Sequence, residues 1–188
     1  MKDSIFFRRQ SKRAFLDRAI PDKVLDHIYE KTRWSPSCNN NQPWRFIFVF
    51  DAEQRARFMT ALPKGNQWAA TAPILIAVCA RQEDDYTRED DPVAYYQFDC
   101  GLAVMSLLLA AVDEGLMAHP MAGYDAGKLH DILEIPAEYH VLCVIALGYP
   151  GSPDQLDERT HRKDEAPRTR KALSEVIARD RFSFTSEG

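Results

Sequence analysis

Four short segments carry the side chains able to do chemistry in this 188-residue chain. The densest is Ser35-Pro36-Ser37-Cys38-Asn39-Asn40-Asn41-Gln42-Pro43-Trp44. Its prolines hold the backbone extended, and its Asn and Gln amides offer donors and acceptors to a ligand with a mixed hydrogen-bonding edge. The competing reading is an Asn-rich turn, since Asn tolerates turn geometry. Arg8-Arg9-Gln10-Ser11-Lys12-Arg13 supplies four cations and a hydroxyl, enough to hold an anion, with Phe15 and Ile20 as anchors. Pro167-Arg168-Thr169-Arg170-Lys171 is a second basic cluster, too far along the chain for local pairing with the first. Ala118-His119-Pro120-Met121-Ala122-Gly123-Tyr124 is bracketed by Pro and Gly, so its backbone is held open to close approach.

Other chemistries find less support. The cysteines at 38, 79, 100 and 143 have no metal or redox spacing. Cys79, Cys100 and Cys143 lie in apolar patterns and read as core residues. Cys38, in the polar loop, reads as a small packing residue rather than a nucleophile. Residues 83–91 hold six acids and one Arg without a glycine-turned calcium pattern, so they read as an exposed loop and not a metal site. No G-x-G-x-x-G phosphate fingerprint occurs, so a Rossmann or P-loop reading fails.

The elements that must position these segments follow from the patterning. Ser4–Arg8 is a short first helix, and Pro21 opens a second whose face is Val24, Leu25, Ile28, Tyr29 and Thr32, with His27 on its polar side. A strand over 46–50 follows the Asn-rich stretch. Asp51 and Gln54 predict a capping box for a helix through Leu62, which Pro63-Lys64-Gly65 stops; Asn66-Gln67-Trp68 begins a helical turn. Ile74–Ala80 and Val141–Gly148 read as buried strands. Tyr95–Leu116 reads as the longest helix, apolar all round and closed by Gly115. Asp125 caps a short helix through Leu133. Residues 152–163 read as a polar loop, and Leu173, Val176 and Ile177 as a last apolar element. The expected fold is α+β: a mixed, mostly antiparallel central sheet surrounded by helices, as one domain over residues 1–188.

Composition is that of a soluble globular protein, 45% hydrophobic and 28% charged. A net charge of −4 implies no general affinity for nucleic acid. The apolar run Leu102–Val112 is too short to cross a bilayer, and the N-terminus has no signal-peptide core. A cytoplasmic location and no membrane partner are therefore expected.

Taken together, the four polar segments match what flavin mononucleotide (FMN) requires. Arg and a hydroxyl suit its phosphate. Asn, Gln and a cation suit the pyrimidine edge of its ring, where positive charge stabilises the anionic reduced form. A backbone N–H from a Pro/Gly-bracketed segment suits its central nitrogen.

The same residues resemble the FMN-dependent nitroreductase family. Arg9-Gln10-Ser11-Lys12-Arg13 is similar to that family's Arg-x-Ser-x-Arg opening, and Pro36-Ser37-Cys38-Asn39-Asn40-Asn41-Gln42-Pro43-Trp44 to its Pro-Ser-x-x-Asn-x-Gln-Pro-Trp. Pro120-Met121-Ala122-Gly123-Tyr124-Asp125 resembles its Pro-x-x-Gly-Phe-Asp, and Arg168-Thr169-Arg170 its C-terminal cation pair. The resemblance spans about residues 6–177.

It implies a cofactor-binding set of Arg9, Gln10, Ser11, Arg13, Pro36, Ser37, Cys38, Asn40, Gln42, Asn66, Pro120, Met121, Ala122, Gly123, Arg168 and Arg170. Arg9, Ser11, Arg168 and Arg170 would meet the phosphate and Arg13 the N1/O2 side of the ring. Pro36, Ser37, Cys38 and Asn40 would reach the flavin of the partner in an intertwined homodimer, formed through the long helix. Pro120–Gly123 would lie along the ring with the Ala122 N–H aimed at N5, and Asn66 or Gly65 would reach the pyrimidine. The C-terminal segment would reach onto the partner.

The implied activity is a two-step hydride exchange from NADH or NADPH to an electron-poor acceptor: a nitroaromatic, quinone or enone. The flavin carries the chemistry, so no side chain is assigned a catalytic role. His119 reads as a packed histidine or, alternatively, a proton donor beside the ring. A flavin-binding sensor or carrier without redox turnover is the alternative function.

Overall fold

The computed structural model describes residues 3–90 and 92–184. Asp91, which ends the acidic stretch, and the last four residues of the tail lie outside the described residues. Strands β1 (Arg45–Val49), β2 (Ile74–Ala80), β3 (Met117–Met121) and β4 (His140–Gly148) form one sheet in the order β1-β2-β4-β3. Every pairing in it is antiparallel. The α+β expectation holds.

The sheet is covered on both faces, which is why β2 and β4 read as continuous apolar runs. Leu75, Ala77 and Cys79 point into one core with Phe58, Trp68 and Leu129. Their alternates Ile74, Ile76 and Val78 enter a second core with Ile28, Leu107 and Leu116. The first core lies under α3 (Ala52–Met59) and α5 (Ala126–Leu133), the second under α2 (Asp22–Arg33) and α4 (Tyr95–Asp113). A short α1 (Ile5–Arg8) precedes them. Gly115, at φ +75°, ends α4 in a conformation that suits glycine. By length and composition the whole of α4 matches a membrane span, but half of its apolar window is buried inside this fold. Phe98, 61% exposed, and Met105 remain on its uncovered face.

Several boundaries and assignments differ from the sequence reading. Residues 117–121 are the edge strand β3, not an open loop. Pro120 is accommodated because an edge strand has one side free of ladder bonds. Residues 152–163 are not all loop, because α6 spans Glu158–Glu165. It starts where the Asp157 carboxylate accepts the Arg159 and Thr160 N–H groups at 3.1 Å. Helix α3 ends at Met59. Asp51 caps it by accepting the Gln54 N–H at 2.8 Å, but the Gln54 side chain donates to Ile132 C=O instead of closing the box. The turn begun by Asn66 is a 3-10 segment over Lys64–Thr71. The acidic stretch is not exposed throughout: Asp84 pairs with Arg45 and Arg81, and Asp85 is buried. The last apolar element is a 3-10 turn, Leu173–Glu175, whose Leu173 stays 73% exposed, as Val176 and Ile177 largely do.

Candidate functional site

The first basic segment is fixed at its C-terminal end. Phe15 is buried and bridges Pro150. Gly151 allows that approach, since a Cβ there would fall 2.8 Å from the Phe15 carbonyl carbon. Behind this anchor, Arg9, Gln10, Ser11, Lys12 and Arg13 meet the strand of chain from Lys163 to Arg170 around a cleft of about 470 Å³. The two basic clusters, distant in sequence, thus line one cavity. Arg168 donates to the Phe7 carbonyl at 2.7 Å, and Arg9 Nη1 donates to Ser11 Oγ at 3.3 Å. Burial, and then the charges of Arg168 and Arg170, hold the Arg9 guanidinium below its ordinary pKa. A cluster of cations pressed together in this way favours an anionic occupant.

One carboxylate offsets the charge. Asp164, on α6 and with a side chain only 1% exposed, accepts the Arg13 N–H at 2.8 Å and faces its guanidinium at 3.5 Å. The Lys12 ammonium donates to the Asp164 carbonyl. Sequence reasoning missed Asp164, because nothing separates it from the surface charges around it; the only signal was the cap at Asp157.

Arg13 also lies over Trp68, its Cζ 5.8 Å from the ring centroid, and Trp68 packs on His119 at 4.6 Å. His119 Nδ1 lies 2.9 Å from the Lys12 carbonyl, which can only accept, so Nδ1 carries the proton. Burial, foremost, pushes its pKa down to about 4, so the imidazole is neutral at pH 7. It packs and ties β3 to the basic segment, which favours the packed reading over a proton donor. The unfolded chain takes up this proton near pH 6.5, whereas the folded chain resists until about pH 4. Stability from this group is therefore present above pH 6.5 and lost as pH falls through 4, by roughly 3 kcal/mol. NMR titration of the imidazole is expected to find no protonation above pH 5, and His119→Phe is expected to flatten this part of the stability profile.

From His119 the chain runs along β3 to Pro120 and Met121, then leaves the sheet with Ala122 and Gly123 exposed. Asn66 donates to the Gly123 carbonyl at 2.9 Å. A Cβ at 123 would press on that amide at 3.1 Å. Tyr124 donates to the Val141 carbonyl at 2.7 Å, and the Asp125 N–H reaches Ala61 C=O at 2.8 Å. Asn66, Pro120, Met121, Ala122 and Gly123 are thus gathered at one end of β3, joined to Arg13 through Trp68. Gly65 lies in the same 3-10 segment as Asn66.

Pro36, Ser37, Cys38, Asn40 and Gln42 stand apart from this group within the chain. Asn39, Asn40 and Gln42 adopt φ of 49°, 58° and 52°. Ser37 Oγ accepts the Gln42 N–H at 2.9 Å, and the Gln42 side chain donates to Asn40 C=O at 2.9 Å. The loop is a built structure with residues 39–42 exposed, as the Asn tolerance for left-handed geometry allows. The remaining cysteines offer no nucleophile: burial pushes Cys79 and Cys100 up to about 12 and Cys143 to about 11.

Comparison with known proteins identifies the family. The model of the Nitroreductase family matches residues 7–64 and 60–149. A protein of Archaeoglobus fulgidus, with the provisional name NADH dehydrogenase/NAD(P)H nitroreductase, is 32% identical over 162 residues, covering 84% of this chain and 90% of that one. A Streptomyces coelicolor protein of the same provisional name is 27% identical over 172 residues, 82% of this chain and 85% of that one. A solved structure described as an oxidoreductase containing FMN superposes with a TM-score of 0.87 at 32% identity, covering 97% of this chain and 93% of its own. With its model matched across most of the chain, the family is settled: this protein belongs to the Nitroreductase family.

Proposed function

We propose that the chain is an FMN-dependent oxidoreductase that takes electrons from NADH or NADPH and reduces electron-poor acceptors, such as nitroaromatics, quinones or enones. The observation that carries this reading is the convergence of the Arg9–Arg13 and Lys163–Arg170 segments on one cleft, whose Arg13 lies over Trp68 of the same 3-10 segment as Asn66, itself bonded to Gly123. The donor set fits FMN. Arg9, Ser11, Arg168 and Arg170 would hold the phosphate, with Gln10 beside them. Arg13, fixed by Asp164, would present its charge to the N1/O2 edge, and Asn66 would border the pyrimidine. Pro120, Met121, Ala122 and Gly123 would lie along the ring, the exposed Ala122 N–H towards N5. When bound, FMN supplies the capacity to accept and return a hydride. The chain's own task is to bind, orient and polarise.

The loop Pro36–Gln42 would complete the site of a second copy in a homodimer. None of its residues lines the basic cleft of its own chain, which supports this. So do the uncovered Phe98 and Met105 on α4, and the exposed Leu173, Val176 and Ile177 of the C-terminal arm, which would pack on the partner. All these segments then belong to one FMN-binding unit. The names of the relatives support the electron donor, and the FMN-containing neighbour supports the cofactor.

The test is optical. Protein loaded with FMN is expected to lose its flavin colour on anaerobic addition of NADH or NADPH and regain it with a quinone or nitroaromatic. Retained colour with neither nucleotide active would mark a carrier without turnover, and failure to take up FMN would overturn the reading.

A further inference from the structure

Under the Asn-rich loop, away from the basic cleft, two buried carboxyls meet. Asp99 of α4, 2% exposed, accepts the Cys38 N–H at 2.6 Å through Oδ2. Asp85, 9% exposed, accepts the Asn41 side-chain amide at 3.1 Å and the Tyr86 N–H at 2.8 Å, both through Oδ1. Asp85 Oδ2 is buried with no hydrogen-bond partner. The two acids therefore grip the loop at Cys38 and Asn41, on either side of the left-handed Asn39 and Asn40.

No cation balances them. Arg45 and Arg81 approach from β1 and the end of β2, but both pair with Asp84. Among the described residues no Lys, Arg or His lies within ion-pair distance of Asp85 or Asp99. The other titratable groups of the surrounding elements include Arg88, which pairs with Asp90 beside Tyr86 and Tyr95, together with Tyr96, His140, Cys38 and Cys100. Burial, followed by Asp85, keeps the Cys100 thiol neutral. Two like charges buried side by side without a cation cannot both persist, and an unpaired buried oxygen carries its full desolvation cost. A proton on Asp99, donated to Asp85 Oδ2, relieves both.

We propose that Asp99 keeps a proton that bridges to the unpartnered Asp85 Oδ2, so that the two side chains together latch the Pro36–Gln42 loop in the geometry that meets the flavin, with Asp99 as a positioning residue. This rests on the assignment of that loop to the flavin of a second copy. Burial, foremost, raises the Asp99 carboxyl above the ordinary carboxylate range, and the neighbouring Asp85 adds to this; the Cys38 N–H pulls the other way. The latch is therefore complete on the acid side. It is lost as pH rises through the raised value, when Asp99 gives up its proton and its contact with Asp85 turns repulsive.

The loop amides report this without any flavin. Hydrogen exchange over residues 37–42 in the full chain, corrected for its intrinsic pH dependence, is expected to speed up by about tenfold across the titration of Asp99. Asp99→Asn is expected to abolish that step. Its carbonyl accepts from Cys38 and its NH2 donates to Asp85 Oδ2, which mimics the protonated pair at every pH. Asp85→Asn is expected to do the same in the reverse sense. Asp99→Ala is expected to leave the loop unprotected throughout and to weaken FMN binding about tenfold, an effect that Asp99→Asn does not share. A wild-type loop without a pH step, or an Asp99→Asn chain that keeps it, overturns the proposal. Should the exchange behave as expected in protein that never takes up FMN, the latch stands and the flavin assignment falls.

Discussion

Alanine at both Arg9 and Arg168 is expected to weaken FMN binding by about a hundredfold or more. A hydrogen bond to a charged group contributes about 1.5–3 kcal/mol, and two such losses amount to at least two decades in affinity. Flavin fluorescence titration measures it. The sign of the companion effect separates a binding role from a structural one. In the flavin-free chain Arg9 is pressed by Arg168 and Arg170, so Arg9→Ala alone is expected to leave the melting temperature unchanged or raise it. A chain destabilised by Arg9→Ala, with unaltered FMN affinity, would contradict the assignment of this cleft to the phosphate.

Asp164→Ala is expected to cost about 2–3 kcal/mol of stability, because it strands the Arg13 N–H and leaves its guanidinium without a counter-charge. In a chain of this length the melting temperature would fall by roughly 5–10 °C. Asp164→Asn separates geometry from charge. Its carbonyl can still accept the Arg13 N–H, so most of the stability returns, while the positive field at Arg13 is no longer offset. Reduced FMN, which carries more negative charge on the ring, should then gain affinity relative to oxidised FMN. Each tenfold gain raises the two-electron midpoint potential by about 30 mV. A potential unmoved by Asp164→Asn would mean that Arg13 does not face the ring.

What the sequence made legible was whatever rests on apolar pattern or on local backbone chemistry. β2 and β4 announce themselves because both faces of the sheet are covered, and α4 because the second core, a smaller cluster with Trp44 and an outer face share it. Asp125 and Asp51 were readable as caps because capping is a local bond. The basic segments, Asn66 and the Pro120–Gly123 run were legible as separate polar islands; their meeting followed from matching them to one ligand and from the family resemblance, not from any local pattern. β3 escaped because Pro120 lies inside it and Gly115 and Gly123 flank it, and only its pairing with β4 makes it a strand. α6 escaped because its sequence, Glu-Arg-Thr-His-Arg-Lys-Asp-Glu, has almost no apolar face; its cap and the contacts of Asp164 hold it. Asp164, Asp99 and Asp85 share one blind spot. A buried carboxylate is spelled in the same letter as an exposed one, and only the fold tells them apart.

The left-handed backbone at Asn39, Asn40 and Gln42 carries a lesson for anyone diversifying this protein. A saturation library over those three codons should return glycine and aspartate among its functional survivors and almost no valine, isoleucine or threonine, because branching at Cβ clashes there whatever the side chain does afterwards. Variation meant to reshape acceptor preference is better spent on neighbours whose backbone is ordinary.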